Sequence, residues 1–213
     1  MSEIVQGSDA WKAIRLGKVT ASRVADATDL LKSGKPGAKR ETYLGELIAE
    51  RLTGIAVEKY QNDLMRWGSA QEPEARALYE FMRSVDVEQV AFVPHPTIPM
   101  AGCSPDGLVG DDGLIEIKAP STSTHVDTLL AQAIPDEYRK QMLWQMACTG
   151  RRWCDFVSYD PRLPPHLSMF VCRLGRDDAA IAELEASVRA FLAEIDMKVD
   201  RLNALYALQK AAA

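Results

Sequence analysis

The sequence has no apolar run approaching the ~20 residues that a membrane span needs. Its start, Met1 to Trp11, lacks the apolar core of a secretion signal. Both absences predict a cytosolic protein with no membrane partner. Cysteine is sparse: Cys103, Cys148, Cys154 and Cys172 form no CxxC pair and keep no regular spacing. That spacing speaks against a zinc knuckle and against an iron–sulfur cluster, whose ligand sets contain closely spaced members. In a reducing cytosol the four read as small buried hydrophobes. His95, His125 and His166 share no ligand spacing and read as structural or exposed. No segment repeats at the period of a solenoid. Basic residues do not dominate either: 25 face 30 acidic ones, for a net charge of -5. A wholly basic nucleic-acid coat is thereby excluded, but a locally basic groove is not.

What is present is ordinary globular material, 213 residues with 47% hydrophobic and 26% charged side chains. Such a length suits one large domain. Ala21 to Leu31 reads as a short helix that Thr20 or Ser22 caps. The acid-free run Lys32 to Arg40 reads as an exposed basic loop. Glu41 to Leu52 carries Tyr43, Leu44, Leu47, Ile48 and Leu52 on one helical face. Trp67 to Arg83 is helical, with Pro73 placing Glu72 near a helix start or a kink. The period then shortens. Gln89 to Val93, Met100 to Cys103, Leu108-Val109 and Leu114 to Lys118 read as extended. Pro135 to Thr149 is a helix with an acidic first turn and Gly150 beyond its end. Trp153 to Tyr159 and Leu167 to Leu174 are strands. Residues 177–208 form a closing helix that packs on the body. This order predicts a single α/β domain, residues 1–213, around a central mixed sheet flanked by helices.

The chemistry concentrates between Ser104 and Lys118. Asp106 lies between Pro105 and Gly107, so its carboxylate projects from a tight turn. Glu116 and Lys118 alternate on one face of a strand, with Ile115 and Ile117 on the other. A hairpin between the strands brings Asp106 alongside Glu116. Two carboxylates that close repel unless a proton or cation lies between them, and Mg²⁺ favours such oxygens. A lysine beside them orients or deprotonates a metal-bound water. Each piece alone also has a plain reading. PDG is a common hairpin turn, Glu-x-Lys a common solvated ion pair, and Ser69-x-x-Glu72 fits a capping box. Arg15 suits a surface ion pair.

Together these residues resemble the PD-(D/E)xK nucleases. More closely, the chain resembles the family of phage lambda exonuclease and the YqaJ-type viral recombinases, the alkaline exonucleases. The likeness rests on RLGKVTAS (Arg15 to Ser22), WGSAQEPEAR (Trp67 to Arg76), CSPDGL (Cys103 to Leu108), LIEIKAP (Leu114 to Pro120), YRKQMLWQM (Tyr138 to Met146) and YDPR (Tyr159 to Arg162), in the family's order. The resemblance implies a restriction-endonuclease-like fold. It also implies metal ligation by Glu72, Asp106, Glu116 and the backbone carbonyl of Ile117. Lys118 then serves the attacking water, and Gln141 lines the site. Arg15, Ser22 and Ser104 match positions that hold a terminal 5′ phosphate. Lys32, Lys35, Lys39 and Arg40 fit contacts to the DNA backbone, or a solvated loop. Two departures stand out. Pro96 occupies the place of a family acidic residue, and Leu143 that of a second glutamine.

The activity so implied is a Mg²⁺-dependent 5′→3′ exonuclease, with Mn²⁺ as a substitute and two ions at work. It digests one strand of linear duplex DNA and leaves a 3′ overhang. The implied setting is a homotrimeric ring on DNA ends, a single-strand annealing protein as partner, and a phage or prophage protein in a bacterial cytoplasm. The rivals are a structure-specific or restriction-type endonuclease on the same core, and a DNA-binding module without catalysis.

Overall fold

The computed structural model describes residues 4–57 and 62–211. Helix α1 spans Asp9–Arg15, capped by Ser8, whose hydroxyl accepts from the Trp11 amide at 3.2 Å. Strand β1 (Val19–Thr20), a 3₁₀ turn (Ala21–Arg23) and the four-residue α2 (Val24–Ala27) follow. Two longer helices come next, α3 (Ala38–Thr53) and α4 (Asp63–Arg83). Strands β2 (Val87–Glu88), β3 (Val93–Pro94), β4 (Ala101–Cys103), β5 (Gly107–Val109) and β6 (Gly113–Lys118) lead to α5 (Thr122–Ala131) and α6 (Asp136–Thr149). Strands β7 (Trp153–Tyr159) and β8 (Met169–Gly175) precede α7 (Asp178–Ala211).

The mixed α/β class stands, but the strands divide between two sheets. One has the order β1-β4-β3, the other β2-β5-β6-β7-β8. In the larger sheet β6 is central, antiparallel to β5 and parallel to β7, with Glu116 opposite Phe156 and Lys118 opposite Ser158. Strand alternation sorts its side chains as the pattern requires. Ile115 and Ile117 pack with Ala75 and Tyr79 of α4. Leu114 packs on the opposite face with Met142 and Met146 of α6. A third apolar cluster joins α2, α3, α6 and α7 to the small sheet through Val24, Leu44, Trp144 and Phe191. Glu116 therefore points into the α6 face of a packed sheet, where it needs polar partners from that helix and from its own strand.

Four local expectations change. The Ala21–Leu31 helix is broken: α2 ends at Ala27, and Leu30 forms a bridge to Pro36 that closes the following loop. Neither Thr20 nor Ser22 caps it; the caps of both short pieces carry no side-chain bond. Helix α4 begins nine residues before Glu72, capped by Asn62, whose side chain accepts from the Met65 amide at 2.8 Å. Ser69 is thus inside the helix and the capping-box reading of Glu72 fails, with Pro73 absorbed mid-helix. Lys39 and Arg40 belong to α3 rather than to a loop. Arg40 is buried, held by Glu194 at 2.8 Å and lying over the Phe191 ring at 5.0 Å. It ties α3 to α7 and cannot reach a DNA backbone.

Candidate active site

The hairpin from β5 to β6 sets the acidic pair. Gly107 opens β5 and lets Val87 of β2 pack against it, since a Cβ there would lie 2.1 Å from Val87 Cγ1. Asp106 Oδ2 accepts from the Ile117 amide at 2.6 Å, which locks this carboxylate beside the catalytic strand. Its Oδ1 accepts no hydrogen bond among the described residues. Arg76 of α4 holds the turn from behind, donating from Nε to the Asp106 carbonyl at 3.2 Å.

Glu116 is fully buried. Gln141 Nε2 donates to its Oε1 and Gln145 Nε2 to its Oε2, both at 2.6 Å, and Lys118 Nζ pairs with Oε1. Two glutamines one helical turn apart thus fork onto one carboxylate. Leu143, between them, faces the core instead. A second glutamine thus reaches Glu116 from Gln145, four residues after Gln141, a spacing that returns to the same face of α6. Glu72 enters from α4, half-buried and without a hydrogen bond or ion pair among the described residues.

Crowding of these anions shows in their acidity. Burial raises the Asp106 pKa well above the usual carboxylate range, and repulsion from Glu116 and Glu72 adds to it. Burial likewise raises Glu72, with Glu116 contributing. Burial works against the charge on Lys118, yet Glu116 and Asp106 outweigh it and hold the amine firmly protonated.

A second group abuts the first. The Arg15 guanidinium lies 3.7 Å over the Trp11 ring and donates to Ser104 Oγ at 3.3 Å. Trp11 Nε1 donates to the same hydroxyl at 3.0 Å and to the Ala91 carbonyl at 2.9 Å. No carboxylate pairs with Arg15 among the described residues, and burial lowers its pKa. One cleft of about 470 Å³ joins both groups: Arg15, Ser22 and Ser104 line it with Glu72, Asp106, Glu116, Lys118 and Gln141. Trp11 and Arg15 also line an adjoining larger cleft of about 640 Å³ between α1 and α3, which lies off the carboxylates. Lys32, Lys35 and Lys39 are exposed and outside both clefts. Pro96 is exposed after β3 and lines neither.

Among the described residues no three acidic, imidazole or thiol groups close around a single point. The carboxylates nonetheless suit a hard divalent cation. Glu72 and Asp106 Oδ1 present unpartnered oxygens into the shared cleft, and a cation would relieve the repulsion that raises both pKa values. Glu116 would ligate only by exchanging an amide or the lysine for the ion.

A model of the YqaJ-like viral recombinase domain matches residues 10–152, about two thirds of the chain. The chain belongs to that family. This YqaJ-type chain is also similar to solved structures of the alkaline exonuclease LHK-Exo from Laribacter hongkongensis. The dAMP complex of that enzyme is 50% identical, over 95% of this chain and 100% of that one, with a TM-score of 0.89. A second LHK-Exo structure gives the same identity and coverage and a TM-score of 0.88. A phage-related exonuclease from Haemophilus somnus 129PT, 16% identical over 87% of this chain and 96% of its own, shares the fold with a TM-score of 0.71. No curated protein matches.

Sequence reasoning missed three members of the site. Gln145 was visible as the i+4 partner of Gln141. Trp11 and Thr20 both line the cleft. Trp11 belongs to a helix of seven residues, too short to announce itself by periodicity.

Proposed function

We infer that this YqaJ-family protein is a Mg²⁺-dependent nuclease that degrades one strand of linear duplex DNA from a 5′-phosphorylated end. The observation that carries the reading is the shared cleft: anionic ligands for a cation stand beside an arginine–serine pocket suited to a phosphate. The 50% identity to an alkaline exonuclease, over nearly the whole of both chains, supports the same class of activity.

The division of labour follows from the geometry. Glu72, Asp106 and Glu116, with the Ile117 carbonyl, would hold one or two Mg²⁺ ions, with Mn²⁺ as a substitute. The chemistry such an ion would supply there is a lowered pKa of water and neutralisation of charge on the scissile phosphate. Lys118, kept cationic by Glu116 and Asp106, orients the attacking water and offsets developing negative charge. Gln141 and Gln145 hold the Glu116 carboxylate in one orientation. Arg15 and Ser104, with Ser22, bind the terminal 5′ phosphate through charge-assisted hydrogen bonds. The residues of one nucleotide then separate that phosphate from the bond cut at Asp106. Digestion in this sense leaves a 3′ overhang for an annealing protein in a bacterial cytoplasm, and a ring of three copies would keep the enzyme on its strand.

Linear duplex and covalently closed circles, incubated with Mg²⁺ or with chelator, test the reading. Linear DNA should be lost only with Mg²⁺, while circles persist. Cleavage of closed circles would make the protein an endonuclease, and digestion in chelator would remove the metal from the account.

A further inference from the structure

The YDPR segment has no part in the cleft just described, yet it builds an unusually fixed arginine. Asp160, directly after β7, is wholly buried, and Arg162 grips it with two guanidinium edges: Nε to Oδ1 at 2.7 Å and Nη2 to Oδ2 at 2.9 Å. The Arg162 amide donates to the same Oδ1 at 3.0 Å. The guanidinium lies 4.1 Å over the Trp67 ring, and 48% of the side chain remains exposed. Its Nη1 donates to nothing among the described residues. Burial opposes the Asp160 charge, but hydrogen bonds from Arg162 and Thr122 hold its pKa down at about 2. A planar guanidinium, stacked, buttressed by Asp160 and the Pro120 carbonyl and with its Nη1 open to solvent, is preorganised to donate to a phosphate oxygen.

Its place is as telling as its geometry. Pro120 and Asp160 lie two residues beyond the last ladder pair, Lys118 with Ser158, and Arg162 Nη2 donates to the Pro120 carbonyl at 3.4 Å, so this arginine stands at the end of β7, the strand beside the catalytic one. Gly68, next to Trp67, packs against the backbone just past Lys118, a Cβ there falling 3.1 Å from the Ala119 carbonyl. Ser104 and its phosphate pocket precede β5, which flanks β6 on the other side. At this end of the sheet lie Ser104 and Asp106 just before β5, with Arg15 reaching in from α1, then Glu116 on β6, with Glu72 reaching in from α4, and then Arg162 just past β7. Strands lie ~4.8 Å apart and one DNA strand advances ~3.4 Å per nucleotide. Both spacings are a few ångströms, so neighbouring strand ends can address neighbouring phosphates.

We propose that Arg162, clamped by Asp160 and Trp67, binds the DNA phosphate immediately to the 3′ side of the scissile one on the strand being digested. The assignment rests on the functional reading above and extends it. With the terminal phosphate in the first station and the bond to be cut in the second, Arg162 holds the third. It grips the strand on the side that stays with the enzyme after each nucleotide leaves.

The test uses 5′-phosphorylated duplexes carrying a single neutral methylphosphonate at the first, second or third internucleotide linkage of one strand. Binding is measured with Ca²⁺ in place of Mg²⁺, so that affinity is read without turnover. In the wild type, neutralising the second linkage should weaken binding roughly tenfold to hundredfold, the loss of one charge-assisted contact. The double variant Asp160→Asn/Arg162→Gln, which leaves no unpaired buried charge, should lose the same factor on natural DNA. It should then lose nothing more when the second linkage is neutral. If it melts well below the wild type, Arg162→Lys serves instead. It keeps the charge but not the fork, and should show a smaller loss at that same linkage alone. Independent, multiplying losses, or a wild type indifferent to the second linkage, would overturn the proposal. A wild type that neither binds duplex ends nor degrades linear DNA would instead defeat the functional reading beneath it.

Discussion

Replacing Asp106 with asparagine should make the metal-free protein more stable while abolishing its activity. The carboxylate is half-buried in the cleft wall, and desolvation first, then Glu116 and Glu72, push its pKa well above that of an ordinary aspartate. In the unfolded chain the group titrates near ~3.9. The folded state therefore binds the proton more tightly than the unfolded one, and stability falls as pH rises from that value through the raised folded pKa. At pH 8 in chelator, far above the unfolded value of ~3.9, the wild type bears this penalty. Asparagine has nearly the same shape and its oxygen still accepts from the Ile117 amide, which the carboxylate does at 2.6 Å. Removing such a frustrated group is expected to yield about 0.5–2 kcal/mol. In a protein of this length each kcal/mol is a shift of ~2–4 °C in melting temperature. At pH 3 the wild-type carboxyl is protonated in both states and the difference should vanish. Mg²⁺ should raise the melting temperature of the wild type by mass action and leave the variant nearly unmoved. Activity should fall more than about a thousandfold, as each ~1.4 kcal/mol of lost transition-state stabilisation is a factor of ten. Thermal melts at the two pH values, with and without Mg²⁺, provide the check. An asparagine variant less stable than wild type at pH 8 in chelator would refute the reasoning, because Asp106 would then be a structural anion and not one awaiting a cation.

Arg15→Ala should slow digestion of 5′-phosphorylated duplex roughly tenfold to hundredfold, as for a lost charge-assisted contact, and of 5′-hydroxyl duplex far less. Initial rates on the two ends decide it, and equal losses on both would move the phosphate pocket elsewhere. Lys118→Met should lower kcat by about 10²–10⁴, with Lys118→Arg retaining more rate, since the group acts as a held cation; an arginine variant as dead as the methionine one would assign it to proton transfer instead. Gln145→Leu leaves one oxygen of the buried Glu116 without its donor, at a cost of about 1–3 kcal/mol. Calorimetry should show that loss in chelator and a smaller one in Mg²⁺, whereas an unchanged melt would mean the Gln145 bond is dispensable.

The larger sheet and the helix behind it were legible because their local signals agree. Pro135 and Gly150 bracket α6, and β7 (WCDFVSY) is a mostly apolar and aromatic run, interrupted by Asp155 and Ser158, with turns on both sides. Asp106, Glu116 and Lys118 were legible too, as strand alternation fixes which side chains share a face. Elsewhere tertiary contacts decided. Arg40 looks like the last cation of a loop, but α3 begins at Ala38 and swings it inward to Glu194 and Phe191. Glu72 looks like a capping residue until α4 proves to start at Asp63, where Asn62 supplies the cap. The division into two sheets could not be read from strands of two or three residues, whose partners are chosen by packing rather than by propensity. The α5 helix was missed altogether: it is only ten residues long and rich in threonine.

The central claim, that this cleft removes nucleotides from a 5′-phosphorylated end, is tested most directly by the polarity of digestion. Linear duplex is labelled at the 5′ phosphate of one strand or at its 3′ terminus, and products are resolved after short exposure to enzyme and Mg²⁺. The account predicts that the 5′ label appears at once as a mononucleotide, while the 3′-labelled strand shortens gradually from its far end. Early release of the 3′ label, or a first product several nucleotides long from either end, would contradict it.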